Sequence, residues 1–313
     1  MDFAAPLPGT QDLLFDAARR LRRCEAALLG VFERAGYAEV IPPSVEAADV
    51  FGAEAFRALD RSGRLLALRS DFTAQVARIA ATRLAGFSPL RLHYRGSVVR
   101  RLGEGPVHEN LQAGCELVGA AGPEADAEIV ALAAASLQAL GLEEARISLG
   151  STGYFSALAR AAGASEKLAA ALIDAVDRKD LPTLRSLCER EVPAGAAREA
   201  LLMLAQPPRP QTAARELLAK ASALAPSEDA LAALRRLGDV LERTDDRRLE
   251  VDLGEVRGLG YYTGIVFNLY APGAPKAVGG GGRYDSLLGR FGDPRPAVGF
   301  SLDLDGLVAV ARC

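Results

Sequence analysis

Arg257, followed by Gly258, Leu259 and Gly260 and then by the adjacent phenols Tyr261 and Tyr262, is the combination in this sequence best suited to chemistry. A guanidinium grips a carboxylate through two parallel hydrogen bonds. A phenol beside it can meet the polar edge of a flat ring. The pair therefore suits a small carboxylate ligand that carries such a ring. Val266, Phe267 and Leu269 lead through Pro272, Gly273 and Pro275 to the run Gly279 to Gly282, and Arg283 and Tyr284 follow. This pattern predicts a strand, a tight hairpin and a second strand whose glycines let the backbone come close to something. A plain hairpin with core tyrosines and a surface arginine has the same spacing, which leaves both readings open.

Two further groups carry polar chemistry. Asp71 and Thr73 open a predicted helix that runs to about Leu84, where they can cap it or face a ligand; for an isolated pair, capping is the plainer reading. In the predicted strand Leu111 to Gly119, the two-residue period puts Gln112, Gly114 and Glu116 on one face and Leu111, Ala113 and Cys115 on the other. Gln, Gly and Glu make a poor core face, so it is either solvated or lines a polar pocket.

The elements around these residues follow from periodicity and breakers. Thr10 is the expected cap of a long helix, Leu13 to Ala35, with Asp12 at its positive end and Gly36 beyond it. Tyr37 to Ile41 reads as a strand stopped by Pro42 and Pro43, and Arg64 to Leu68 as another. Leu90 to Val99 alternates as a strand, a polar loop spans Arg100 to Asn110, Glu124 to Leu140 is helical, and Ala145 to Gly150 is a strand. From Tyr154 to Arg243 the pattern is almost wholly helical, broken at Pro182, Pro193, Pro207 to Pro210 and Pro226. Sheet returns at Leu249, and Ala297 to Leu302 precedes a last helix from Asp303. The expected fold class is α+β, a mostly antiparallel sheet flanked by helices. The expected division is a sheet core of residues 1–150 and 249–313 with a helical insertion at 151–248.

Composition excludes several classes. With 313 residues, half of them hydrophobic, the chain is an ordinary globular one, and no apolar run reaches bilayer length. With no targeting segment either, a cytoplasmic protein is expected. The net charge of -3 argues against tRNA or another nucleic acid as a partner. Cys24, Cys115, Cys188 and Cys313 lack metal-ligand or disulfide spacing and are expected to be reduced and structural, with no metal and no cofactor. His93 is expected to be structural and His108 to lie on a loop surface. No acidic pair precedes a Thr-Gly-x-Thr, and no glycine-rich loop ends in Lys-Thr or Lys-Ser, so the chain is not expected to be a phosphoribosyltransferase itself.

Several separated segments agree with one family. Pro8 to Asp12, Gly36 through Pro43 with Glu46, Leu68 to Thr73, Tyr94 to Gly119, Arg257 to Phe267 and Gly281 to Phe300 together resemble the catalytic domain of class II histidyl-tRNA synthetase. The resemblance implies a class II synthetase-like core. It implies that Asp71 (a glutamate in synthetases), Thr73 and Gln112 hold a histidine's ammonium and Arg257 its carboxylate. Glu116 and Tyr262 would read the imidazole, with Tyr261 as supporting wall, and Arg100 corresponds to one of two ATP-binding arginines. Ser70 stands where the family has a proline, which is expected to loosen the turn that positions Asp71.

The departures concern ATP. Leu102 replaces a glutamate, the loop after it is short, and Pro106-Val107-His108 replaces a basic segment. In the third motif, Asp303-Leu304-Asp305-Gly306 stands for Gly-Leu-Glu-Arg, so the second ATP arginine is Gly306 here. Two added carboxylates would repel a triphosphate, and adenylation is expected to be lost. No anticodon-binding domain is expected after Cys313. A paralogue of this kind resembles the regulatory subunits of ATP phosphoribosyltransferase. That resemblance implies a non-catalytic protein that activates a short-form catalytic partner in histidine biosynthesis, takes part in feedback by histidine and self-associates as a dimer. The alternative is a truncated synthetase-like enzyme that activates an amino acid.

Overall fold

The computed structural model describes residues 5–101, 105–256 and 261–312. A long helix, α1 (Phe15–Arg34), leads to the short strand β1 (Ala38–Glu39). Strands β2 (Val45–Ala47), β3 (Arg57–Leu59) and β4 (Leu65–Leu68) precede α2 (Phe72–Thr82). The hairpin of β5 (Leu90–Arg101) and β6 (Val107–Val118) is followed by α3 (Pro123–Ala139) and β7 (Arg146–Ser151). Then come α4 (Thr152–Ala161), α5 (Glu166–Asp177), α6 (Leu181–Glu191), α7 (Ala196–Met203), the strand β8 (Arg209–Pro210), α8 (Gln211–Ala223) and α9 (Glu228–Arg243). The chain re-enters the sheet through β9 (Leu249–Val251), β10 (Ile265–Tyr270), β11 (Gly279–Arg283) and β12 (Ala297–Asp303), and α10 (Leu304–Val310) follows.

The large sheet runs β1-β5-β6-β12-β11-β10-β7-β9-β8, and β2-β4-β3 form a small one. Its neighbours are antiparallel except β1 with β5 and β7 with β9. The α+β class with a mostly antiparallel sheet is therefore observed. β6 shows why the site forms where it does. Its Ala113, Cys115 and Leu117 are buried in the main core with Cys24, Leu28 and Phe32 of α1 and Ile129, Val130 and Leu137 of α3. Each large apolar side chain so buried contributes about 1.5–3 kcal/mol. That burial locks the strand's parity and drives Gln112, Gly114 and Glu116 to the opposite face.

Several boundaries differ from expectation. The first helix begins at Phe15 with Leu14 as its cap residue and no side-chain cap, while the Thr10 hydroxyl instead donates to the Leu7 carbonyl at 2.8 Å. Leu14 and Phe15 are exposed, so extending the helix back to residue 13 would bury little. The loop expected at Arg100 to Asn110 is mostly ladder, with Arg100 opposite His108 and Arg101 opposite Val107. The described residues there, 99–101 and 105–110, are half-buried or exposed, which suits polar side chains, and His108 is thus a strand residue. The strand after Tyr37 shrinks to two residues, paired with Leu92 and His93. β10 and β11 are joined by residues 271–278, a longer connection than a tight turn. Pro210 lies in β8 at the sheet edge, where a missing N–H costs least. Cys24, Cys115 and Cys188 are buried. Among the described residues, no helix is long and apolar enough to cross a membrane.

Candidate functional site

A cavity of about 270 Å³ opens on the face of the sheet opposite α1 and α3, and Asp71, Thr73, Arg100, Gln112, Glu116, Tyr261 and Tyr262 all line it. Arg257, the remaining predicted site residue, lies outside the described residues. The cavity is bounded by the start of α2, the β5–β6 hairpin, β10, β11 and β12.

Glu116 is its centre. The side chain is 1% exposed, and Oε1 accepts the Thr73 hydroxyl at 2.7 Å and the Tyr94 hydroxyl at 3.2 Å. Oε2 accepts a short hydrogen bond from the Tyr284 hydroxyl. Burial pushes the Glu116 carboxyl up to about 8; the three hydroxyls pull it down, and Asp71 pushes it further up. Residue 299 makes the room for it, because a Cβ there would lie 1.6 Å from Glu116 Oε2. Gly282 serves Tyr262 in the same way, with a Cβ 2.8 Å from the ring. The close approach predicted for these glycine-rich strands is thus made in part by the protein's own side chains.

Asp71 is the N-cap of α2: its Oδ1 accepts the backbone N–H groups of Thr73 and Ala74. The capping reading therefore holds, and Asp71 also borders the cavity. The preceding turn is not loose. Ser70 is fully buried, its hydroxyl donates to Glu54 at 3.0 Å, and its carbonyl accepts Arg100 Nε at 2.6 Å. These bonds do the work of a proline by pinning the backbone from outside. They also orient Arg100, the one cation among the described lining residues.

Tyr261 and Tyr262 meet edge to face, with ring centroids 5.1 Å apart, and burial raises both phenols. The Tyr261 hydroxyl and the Asn268 amide nitrogen are buried without a hydrogen-bond partner of ordinary geometry, and both residues line the cavity. Buried polar atoms left open cost stability, so such a pair marks a place shaped for a polar occupant. Two acids, one guanidinium and phenolic walls suit a small zwitterion with a polar ring.

The sequence reading missed Tyr94, Tyr284 and Asn268. Tyr94 stands opposite Gly114, and Glu116, Gly299, Gly282 and Val266 are successive cross-strand partners. The two-residue period carries Tyr284 and Asn268 onto that same face, a signal readable only once the register is known. The third-motif acids do not reach the cavity. Asp303 caps α10 through the Gly306 N–H and pairs with Lys276 at 3.0 Å, while Asp305 accepts from Gln11 at 2.8 Å and from the Leu111 N–H at 2.9 Å.

Fold and cavity together define a class II histidyl-tRNA synthetase-like core. A family model described as histidyl-tRNA synthetase matches residues 9–307. The crystal structure of an ATP phosphoribosyltransferase regulatory subunit/histidyl-tRNA synthetase from Bacillus halodurans superposes with a TM-score of 0.89, at 28% identity over 100% of this chain and 84% of that one. A histidine–tRNA ligase subunit from Alicyclobacillus acidocaldarius gives 0.81, at 30% identity over 99% of this chain and 98% of that one. The ATP phosphoribosyltransferase regulatory subunit of Geobacter metallireducens is 40% identical over 97% of this chain and 73% of its own length. That of Anaeromyxobacter dehalogenans (strain 2CP-1) is 40% identical over 97% of this chain and 90% of its own. The chain belongs to the family of ATP phosphoribosyltransferase regulatory subunits.

Proposed function

We propose that this chain is a non-catalytic subunit that activates a short-form ATP phosphoribosyltransferase in the first step of histidine biosynthesis, and that its cavity binds histidine in feedback. The observation that carries this reading is Glu116, buried in a shell of three hydroxyls and facing a cavity that also holds Asp71 and Arg100. In this reading Asp71, Thr73 and Gln112 receive the ammonium, Arg257 and Arg100 face the carboxylate, and Glu116 with Tyr262 meets the imidazole against Tyr261. Histidine then shifts the complex towards a less active state by binding its two states unequally. Gly306 in place of an arginine supports the absence of adenylation. The reading includes no cofactor, no nucleic acid and a cytoplasmic setting.

Self-association is part of the proposal. Val45, Ala47, Ala58, Leu66 and Leu68 share one face of the small sheet by register, while Ala67 on the other face is buried. An all-apolar outward face is suited to a second copy of the chain.

The test is phosphoribosyl transfer to ATP by the short catalytic subunit, with and without this protein, while histidine is titrated in. Turnover that appears only in the mixture and falls with histidine is the expected result. Turnover indifferent to this protein refutes the reading. A truncated synthetase-like enzyme is the second reading, favoured by the retained Arg100 at the cavity; ATP–pyrophosphate exchange driven by an amino acid would establish it.

A further inference from the structure

The segment that carries Arg257, Tyr261 and Tyr262 is held at both ends by the helical region, through residues that do not line the cavity. On the upstream side, Lys179 reaches Asp252 Oδ1 at 2.5 Å and the Leu204 carbonyl at 3.2 Å. The same Asp252 oxygen accepts the Gly254 N–H at 2.8 Å, which folds the chain into a turn just before Arg257. A Cβ at Gly254 would lie 2.1 Å from the Leu204 carbonyl oxygen and 2.6 Å from Lys179 Nζ, so the turn presses directly on the end of α7. On the downstream side, Thr152 at the start of α4 donates its N–H to the Gly264 carbonyl at 3.0 Å and its hydroxyl to the Tyr262 carbonyl at 3.2 Å.

The backbone of Lys179 sharpens the point. Its φ is +54°, in the left-handed region, and it closes α5 with hydrogen bonds from Lys179 to Val176 and from Asp180 to Ala175. Where a helix ends in this left-handed conformation the residue is usually glycine, because it carries no Cβ penalty. Backbone economy therefore does not account for a lysine here, whereas its ammonium does, since it is the link between α5, α7 and Asp252.

We infer that Lys179 is a positioning residue for the cavity: by tying Asp252 to the helical region, it sets where the segment bearing Arg257, Tyr261 and Tyr262 begins. The inference rests on the histidine-binding reading above and on the described residues on either side of the span 257–260. It makes the helical region a lever. Whatever shifts the ends of α5 and α7 changes ligand affinity, and by reciprocity the ligand changes the affinity of anything bound to those helices.

The test uses Lys179→Gly, Lys179→Met and Lys179→Arg in the full chain, with histidine titrated calorimetrically and hydrogen exchange followed without ligand. Lys179→Gly removes the ammonium while easing the left-handed backbone, so its melting temperature stays at or near that of the parent. Affinity for histidine is expected to fall about tenfold in the Gly and Met variants, within the usual range of coupling between sites, and to recover in large part with Arg. Exchange at residues 252–256 and 261–264 is expected to quicken in Lys179→Gly and to stay unchanged in the sheet core. Unchanged exchange there overturns the inference whether or not histidine binds. Parental affinity in both Gly and Met variants overturns it as well. If the parent protein binds no histidine while the exchange change appears, the histidine reading fails and the positioning role stands.

Discussion

The hydroxyl of Thr73 donates to Glu116 Oε1 at 2.7 Å and so joins the first turn of α2 to the middle of β6. One side chain thereby belongs to both walls of the cavity. Thr73 also takes part in the Asp71 cap through its backbone N–H, so the residues that start the helix are the ones that face the occupant.

Glu116→Gln keeps the size of the side chain and one acceptor oxygen but removes ionisation. The Glu116 carboxyl rises from its ordinary 4.5 to about 8 in the folded chain, so the folded state holds a proton that the unfolded state has lost. The stability this proton gives is complete below about pH 4.5 and is lost as pH rises through about 8. The Gln variant is therefore expected to gain stability relative to the parent from pH 5 to pH 9, read from melting temperatures across that range. A constant difference would show that Glu116 is not perturbed. Histidine affinity measured at about pH 9, where the parent's Glu116 is ionised, is expected to be at least about tenfold lower in the variant, as when a charge-assisted hydrogen bond is lost.

Tyr284→Phe removes one of the hydroxyls that pull the Glu116 carboxyl down. The pH at which the parent loses stability should move upward in this variant, and the buried oxygen left short of a donor should cost about 1–3 kcal/mol. Denaturant titrations at several pH values give both quantities. An unmoved midpoint would mean that the Tyr284 bond does not bear on the carboxyl.

Gly299→Ala places a methyl group where Glu116 Oε2 sits, 1.6 Å away. Either Glu116 swings out of its shell or β12 moves from β6, and overpacking of this kind costs about 1–3 kcal/mol. A lowered melting temperature with loss of histidine binding is expected. Parental behaviour in both would show that the cavity is looser than described.

Asp126→Ala tests the support behind β11. Asp126 is fully buried, and its carboxylate pairs with Arg283 at 2.6 Å and Arg236 at 2.5 Å, linking β11 and α9 to α3. Removing it leaves the buried guanidinium of Arg283 with Asp285 as its remaining acid, at 3.0 Å. Loss of one partner of such a group costs about 3–5 kcal/mol. Equilibrium denaturation measures it, and a cost below about 1 kcal/mol, the range of exposed pairs, would contradict this account.

Leu66→Glu tests the outward face of the small sheet. Leu66 is half-buried and pairs with Ala47 and Ala58 on that face. A charge there should shift sedimentation from dimer towards monomer without lowering the melting temperature of the monomer. A parental sedimentation profile would remove this face from the self-association proposal.

Local chemistry by itself determined much of this protein. The period-two alternation of β6 placed Glu116 and Gln112 on a polar face, Asp71 and Thr73 announced a helix start, and proline and glycine marked most element ends. These are one-dimensional signals, because capping and strand parity depend on neighbours in the chain. Long-range register decided the rest. Tyr94 and Tyr284 reach Glu116 across 22 and 168 residues of sequence, and no local pattern names such partners. The hold of Ser70 on Glu54 and Arg100 belongs to the same kind, and so does the tie of Lys179 to Asp252, 73 residues away. The sequence could show an acid on a poor core face; only the folded sheet could bury it among hydroxyls and make it a site, because burial and partner geometry belong to the packed structure.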